Sequence, residues 1–452
     1  MKPKLIVSSV CCALLLAAGI QAPAHADAVD KLLDKLRAKG VLSEAEVQEI
    51  RGEIRAERRQ AEQKAAAPAA PAAPALSGNF KDGFALESAD KQHAIGLTAS
   101  LQADYRAFSP SDSSANTFNI RRALFGVKGK VYGDVSYELV GDFAPAAAAV
   151  DSAFVDFGWM KNAQIRVGQF TMPFNLETIV SSNNIDYLER ALNSSLAPSK
   201  ELGAMVYGAP LTGFTYALAL SNGAGSNASD TVTARDGKDL LGRVSFNFAE
   251  MLGRKGLVTH LGLAYTDGAQ PAGALTGGIR TEGRGATIFT GSAPAGGAVF
   301  DRKRGGVELA LAGGPFKLQS EWIQADFSGT GFNRKVASYY VSGVWAITGE
   351  DLADTYSNGI FGALKPRQAY TSAGNGSGAW VAGLRYSKLD AGDFAAATFT
   401  GTRNANARTL GLNWIPNGVT RVMLNYVKTS YDAPVGGLSY EKALTLRTQV
   451  NF

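Results

Sequence analysis

From Phe80 to its last residue the chain repeats one pattern: segments of about ten residues in which apolar and polar side chains alternate. Along a β-strand successive side chains point to opposite faces, so each such segment has one greasy and one polar side. The last segment shows it plainly. Leu444, Leu446, Val450 and Phe452 fall on one face, and Thr445, Arg447, Gln449 and Asn451 fall on the other. Leu97, Leu101 and Tyr105 alternate in the same way with Ser100, Gln102 and Asp104, and Val244, Phe246 and Phe248 with Arg243, Ser245 and Asn247.

A soluble sandwich also alternates. Two features favour a membrane barrel instead. Tyr and Trp recur near segment ends, as in interfacial girdles. Connections also alternate short and long. Tight turns fall at Tyr132-Gly133-Asp134, Met160-Lys161-Asn162, Gly313-Gly314-Pro315 and Pro416-Asn417-Gly418, with long connections at 171–199, 222–237 and 268–300 between them. Counting back from Phe452 gives about sixteen strands beginning near Ala94, an even number as single-chain barrels require. The expected fold class is all-β: a transmembrane antiparallel β-barrel with a short N-terminal helical extension. Lipid offers no partner to a free sheet edge, so the sheet must close. At this width side chains do not fill the interior, which leaves an aqueous channel. On this count every short turn lies at the periplasmic end. One long connection, 349–378, falls there too, and it either hides a hairpin or folds into the lumen.

The N-terminus has the form of a secretory signal over 1–26: Lys2 and Lys4, an apolar run from Leu5 to Ile20, and Ala24-His25-Ala26 before Asp27. Both cysteines, Cys11 and Cys12, lie inside it, so the exported chain has no disulfide and no thiolate. Residues 27–64 read as helical. Leu32, Leu33 and Leu36 precede Gly40, a natural stop, and Ser43 with Glu46 forms a capping box before Val47, Ile50 and Ile54. This segment is either a periplasmic coiled-coil pair that self-associates or a solvated tail. An Ala/Pro spacer with Pro68, Pro71 and Pro74 follows over 65–78. The barrel domain is expected over 79–452.

The formal net charge is +5. Its cations are spread singly through strands and not gathered into patches, which argues against a nucleic-acid partner. Taking the polar face as the lumen wall, the expected anion-lining residues are Arg106, Arg122, Lys128, Arg166, Arg243, Arg304, Lys317, Arg385, Arg421 and Arg447. Positive rings in a low-dielectric wall concentrate anions. Some must pair with acids; Asp156 and Arg166 lie on neighbouring strands. The connection 171–199 is too apolar to float in water and is expected to pack within the wall as the constriction, with Pro173, Phe174, Asn183, Glu189 and Arg190 as its key residues. No metal-ligand spacing, cofactor motif or catalytic set is present. His260 reads as a satisfied wall histidine. The glycine-rich stretch 277–297 lacks a following Lys-Ser/Thr and reads as a mobile loop, not a phosphate cradle.

An ordered set of short motifs resembles the phosphate-selective porin O and P family. Arg121-Arg122-Ala123 precedes Gly126-Val127-Lys128-Gly129. Arg166-Val167-Gly168-Gln169-Phe170 precedes Pro173-Phe174, Ser181-Ser182-Asn183 and Leu188-Glu189-Arg190. Thr348-Gly349-Glu350, Gly378-Ala379-Trp380, Arg385-Tyr386-Ser387 and Leu412-Asn413-Trp414-Ile415-Pro416-Asn417 follow. The resemblance spans about 79–452. It implies an outer-membrane barrel, a homotrimer in outer-membrane lipid, and passive diffusion of small anions, phosphate or polyphosphate among them. It also implies that 171–199 narrows the pore. The alternative function is a general, non-selective porin or a surface-interaction barrel.

Overall fold

The computed structural model describes residues 26–40, 43–65, 76–79, 84–144, 147–228, 237–270, 278–291, 300–394 and 402–452. All but Ala26 of the expected leader and most of the expected Ala/Pro spacer lie outside the described residues. The chain divides into two compact units, residues 1–74 and 75–452.

In the first unit, helix α1 (Ala26–Ala38) ends at Gly40, whose φ of 73° is readily reached only without a Cβ. Helix α2 (Glu44–Ala65) begins with the capping box: the Ser43 amide donates to Glu46 at 2.8 Å and the Glu46 amide to Ser43 Oγ at 3.3 Å. Leu33 and Val47 are buried, and Arg37–Glu44 and Arg51–Asp34 pair at the surface.

In the second unit sixteen strands of the described residues form one closed antiparallel barrel. They are β1 (Ala94–Ser109), β2 (Thr117–Val131), β3 (Val135–Asp142), β4 (Ala149–Phe157), β5 (Gln164–Thr171), β6 (Lys200–Leu211), β7 (Phe214–Ser221), β8 (Asp239–Asn247), β9 (Leu257–Gln270), β10 (Phe300–Gly313), β11 (Phe316–Gly329), β12 (Phe332–Ala346), β13 (Ala379–Asp390), β14 (Asn404–Ile415), β15 (Thr420–Val435) and β16 (Leu438–Asn451). Each strand pairs with the next, and β16 closes on β1 from Lys442↔Ser109 to Asn451↔Ser100. Phe452 completes the seam by exchanging backbone hydrogen bonds with Ala99. A small hairpin, Leu76–Asn79 with Phe84–Ser88, adds to the start of β1.

Alternation divides the wall as the sequence requires. On β16, Leu444, Leu446 and Val450 are exposed to the outside, while Thr445, Arg447 and Gln449 are buried within. Phe316 with Trp345 and Trp380 with Trp414 stack on the outer surface near the end that carries both barrel termini. Interfacial aromatics occupy such positions.

The connections depart from expectation in two ways. Short turns are not confined to the terminal end: 330–331 and 436–437 are two-residue links at the opposite end. A gap of two residues announces a tight hairpin but not which rim carries it. The long connection 347–378 does both things left open. It forms the hairpin Tyr356–Ser357 with Ile360–Phe361, and it folds into the lumen, where Phe361 and Ala353 pack with Leu176, Ile185 and Val258.

Candidate functional site

Three segments enter the barrel and turn an empty cylinder into a partitioned one. The first is the expected constriction, 172–199. It leaves between β5 and β6 and crosses the lumen, reaching β1, where Asn183 accepts from Ser100 Oγ at 2.7 Å and Gln102 Nε2 at 3.2 Å. Small wall residues receive its aromatics. A Cβ on Gly383 would come within 2.8 Å of the Tyr187 hydroxyl and one on Gly411 within 3.1 Å of its ring, and Phe174 packs as tightly, 3.2 Å from such a position at Gly306. Pro173 is the buried central residue of the Met172–Phe174 turn at the loop's start. The Arg190 guanidinium donates to the carbonyls of Glu177, Thr178 and Val180, which curls the loop on itself. The second segment, 278–291, is not a mobile loop. It forms the hairpin Ile279–Arg280 with Thr287–Phe289, and Ile279, Ile288 and Phe289 are buried in the main apolar cluster. The third is the 347–378 connection, whose Tyr356 hydroxyl meets His260 Nδ1 at 2.6 Å.

All ten expected lining residues face inward, yet most do not line open water. Arg106, Arg243, Arg304, Lys317, Arg385, Arg421 and Arg447 are each buried to at least nine-tenths, a correction to the sequence reading. Counter-charges and carbonyls come partly from the inserted segments and partly from neighbouring wall strands. Arg385 is clamped between Glu177 (3.0 Å) and Glu282 (2.7 Å). Arg243 pairs with Glu308 at 2.6 Å, Lys317 with Asp186 at 2.8 Å, and Arg447 with Asp104 at 2.7 Å. Arg421 donates to the Asn183 carbonyl at 3.2 Å, and Arg304 stands 3.7 Å from Asp239. Arg166 is half-buried and bidentate to Asp156, with Phe154 stacked on its guanidinium.

The side of the wall formed by β1 to β5 is different. A β-bulge opposite Gln102 and Ala103 gives β2 one extra residue, Arg121, so that Arg121 and Arg122 both turn inward. Strict alternation assigns only Arg122 to the lumen, and no pattern in the sequence marks the bulge. Arg122 donates to Gln102 Oε1 at 2.8 Å and lines a cavity of about 550 Å³ together with Lys128, Arg190, Lys200 and Ser100. Lys200 is paired with Asp151, but Arg122, Lys128 and Arg190 pair with no carboxylate among the described residues. Arg121 instead lines a recess of about 370 Å³ near the loop-bearing rim, with Arg106, Arg280 and Arg284. The two consecutive arginines thus border two chambers in which cations outnumber the acids present, Glu138 and Asp151 in the larger and Asp142 in the recess.

Glu189 stands against the first of these arginines. It accepts from Arg121 (2.7 and 3.1 Å), Arg106 (2.9 Å) and Arg447 (3.1 Å), and Arg284 lies at 3.6 Å. Burial disfavours its charge, but Arg121, Arg284 and Arg447 outweigh that and hold the carboxyl well below the usual carboxylate range. Sequence reasoning placed Glu189 in the constriction but did not see its partners. It missed Glu282 altogether, because nothing local marks a loop carboxylate that ends up on Arg385, Ser387 and Thr409.

A closed sixteen-strand wall with polar chambers and an inserted loop is shared by many channel proteins, so the family has to come from residues. The family model for phosphate-selective porin O and P matches residues 95–452. The chain belongs to that family. It is an outer-membrane porin, and the short turns near its termini therefore face the periplasm. Among solved structures it is similar to the anion-selective porin from Comamonas acidovorans at 13% identity, covering 80% of this chain and 100% of that one with a TM-score of 0.53. It is also similar to the outer-membrane channel DcaP of Acinetobacter baumannii (11% identity, 81% and 99% covered, TM-score 0.51). Salmonella typhi OmpF, in complex with daunomycin, matches at 11% identity with 83% and 100% covered and a TM-score of 0.52. At these identities the likeness concerns the fold alone. Comparison with curated protein sequences gives no match.

Proposed function

We propose that this porin passes small anions in preference to cations, oxyanions of the phosphate class among them. The observation that carries this reading is the cavity lined by Arg122, Lys128 and Arg190, none of which pairs with a carboxylate among the described residues. A low-dielectric wall around unpaired cations raises the local anion concentration. Guanidinium forks suit oxyanions, and moderate sites in series allow release. The anions enter the recess of Arg106, Arg121, Arg280 and Arg284, pass Glu189, and leave through the larger cavity. The segment 172–199 sets the narrowest point. One observation favours weak selectivity: most inward cations are already paired. The zero-current potential of the reconstituted protein under a KCl gradient decides between them. A sign set by chloride supports the anion reading, and a potential near zero or set by potassium removes it.

We also infer that the working form is a homotrimer in outer-membrane lipid, with helices α1 and α2 associating as a coiled coil in the periplasm, and that residues 1–26 are removed on export. The family resemblance and the exposed apolar Ile54 on α2 support this. Mass measurement of detergent-solubilised protein, and of a variant beginning at residue 76, tests it. A monomer in the first case contradicts the trimer. An unchanged trimer stability in the second contradicts the role of the helices.

A further inference from the structure

Four guanidiniums converge on one protein carboxylate in the outer chamber. Arg121 grips Glu189 with two parallel bonds of 2.7 and 3.1 Å, Arg106 and Arg447 reach it at 2.9 and 3.1 Å, and Arg284 approaches at 3.6 Å. Bidentate and convergent arginines are also how proteins recognise a free oxyanion. Here the ligand is part of the chain. Its position does not depend on these bonds alone: the loop is fixed separately by Tyr187 against Gly383 and Gly411, by Asn183 on β1, and by Arg190 on three carbonyls. The tethered carboxylate therefore competes at an effective concentration that solute cannot easily match. Three of the arginines that hold it, Arg106, Arg121 and Arg284, also line the recess, so the cluster borders that space.

We propose that Glu189 is a built-in competitor. It is a specificity-determining residue whose carboxylate occupies the oxyanion position of the outer arginine cluster, so that phosphate-class oxyanions are attracted there but not retained. The proposal rests on the anion-channel reading and names what tunes it. A channel site must release its solute; Asp104 already offsets Arg106 and Arg447, but without Glu189 the Arg121 fork and Arg284 beside them would hold a free dianion. Chloride has no pair of oxygens for the Arg121 fork, so the competitor acts mainly against oxyanions.

The test is inhibition of chloride current by inorganic phosphate in planar bilayers, for the wild type, Glu189→Gln and Asp186→Asn. Glu189→Gln should lower the half-blocking phosphate concentration about tenfold, the worth of one charge-assisted contact. Asp186→Asn removes the same charge from the same loop but from a two-member pair with Lys317, and should move it less than about threefold. Glu189→Ser provides a second route if the glutamine variant does not assemble, and Glu189→Asp, which retains the carboxylate, should stay near the wild type. Adding Arg121→Gln to Glu189→Gln should abolish the tighter block. An unchanged half-block in both Glu189→Gln and Glu189→Ser, or an equal shift in Asp186→Asn, overturns the proposal. A wild type that prefers potassium overturns the anion reading itself, which is a separate result read from the zero-current potential.

Discussion

Two sides of one barrel wall carry the same residue types and use them differently. On β1 to β5, Arg121, Arg122 and Lys128 border chambers. On β8 to β14, Arg243, Lys317 and Arg385 lie sealed under inserted segments and locked to Glu308, Asp186, Glu177 and Glu282. What separates a solute-facing arginine from a structural one is the chain that covers it. The three insertions lean mainly on the second side and touch the first chiefly at Asn183 on β1 and Glu189 on Arg106 and Arg121, so open space remains beside β2 to β5. Cations over water set the field that solutes meet, whereas buried pairs fix the shape of the wall.

The contrast breaks most readily at Arg385. Arg385→Ala leaves Glu177 and Glu282 buried without a cation, a loss of about 3–5 kcal/mol. A denaturant midpoint followed by the gel mobility of the folded barrel should fall accordingly. An unchanged midpoint would show that the clamp is not structural. Gly383→Val places a side chain where the Tyr187 ring now lies and should cost about 1–3 kcal/mol through overpacking. It should also enlarge single-channel conductance as the loop is displaced; an unaltered conductance would mean that 172–199 does not narrow the path. Lys317→Met sharpens the comparison at smaller scale. It breaks a partly covered pair with Asp186, for about 1–2 kcal/mol, while the chloride-to-potassium preference stays close to wild type. A large change of preference there would erase the distinction between the two sides.

Much of this architecture is legible in the sequence because lipid enforces it. The start at Ala94, the sixteen strands, the inward direction of the polar residues and the crossing of 172–199 all follow from period-2 alternation and from apolar residues that must be buried. The Asp156–Arg166 pair was readable from neighbouring strands, and it forms. The departures share a physical cause. Alternation describes a regular strand, so the bulge that turns Arg121 inward leaves no mark on it. Facing inward is a property of one strand, but burial depends on what enters the lumen from elsewhere. Glu282 and Tyr356 reach their partners Arg385 and His260 across more than ninety residues of chain. The stretch 278–291 looked unstructured because glycine separates its few apolar residues, yet Ile279, Ile288 and Phe289 are enough to anchor it in a prepared cluster.

The most direct test of the division between the two kinds of arginine is the zero-current potential under a KCl gradient for the wild type, Arg122→Gln and Arg166→Gln. Both variants remove one inward positive charge, but Arg122 borders the cavity without a carboxylate while Arg166 is bound to Asp156 under Phe154. The expected result is an anion-selective wild type, a marked loss of anion preference in Arg122→Gln and a much smaller one in Arg166→Gln. Equal shifts in the two variants, or none in Arg122→Gln, would contradict the account.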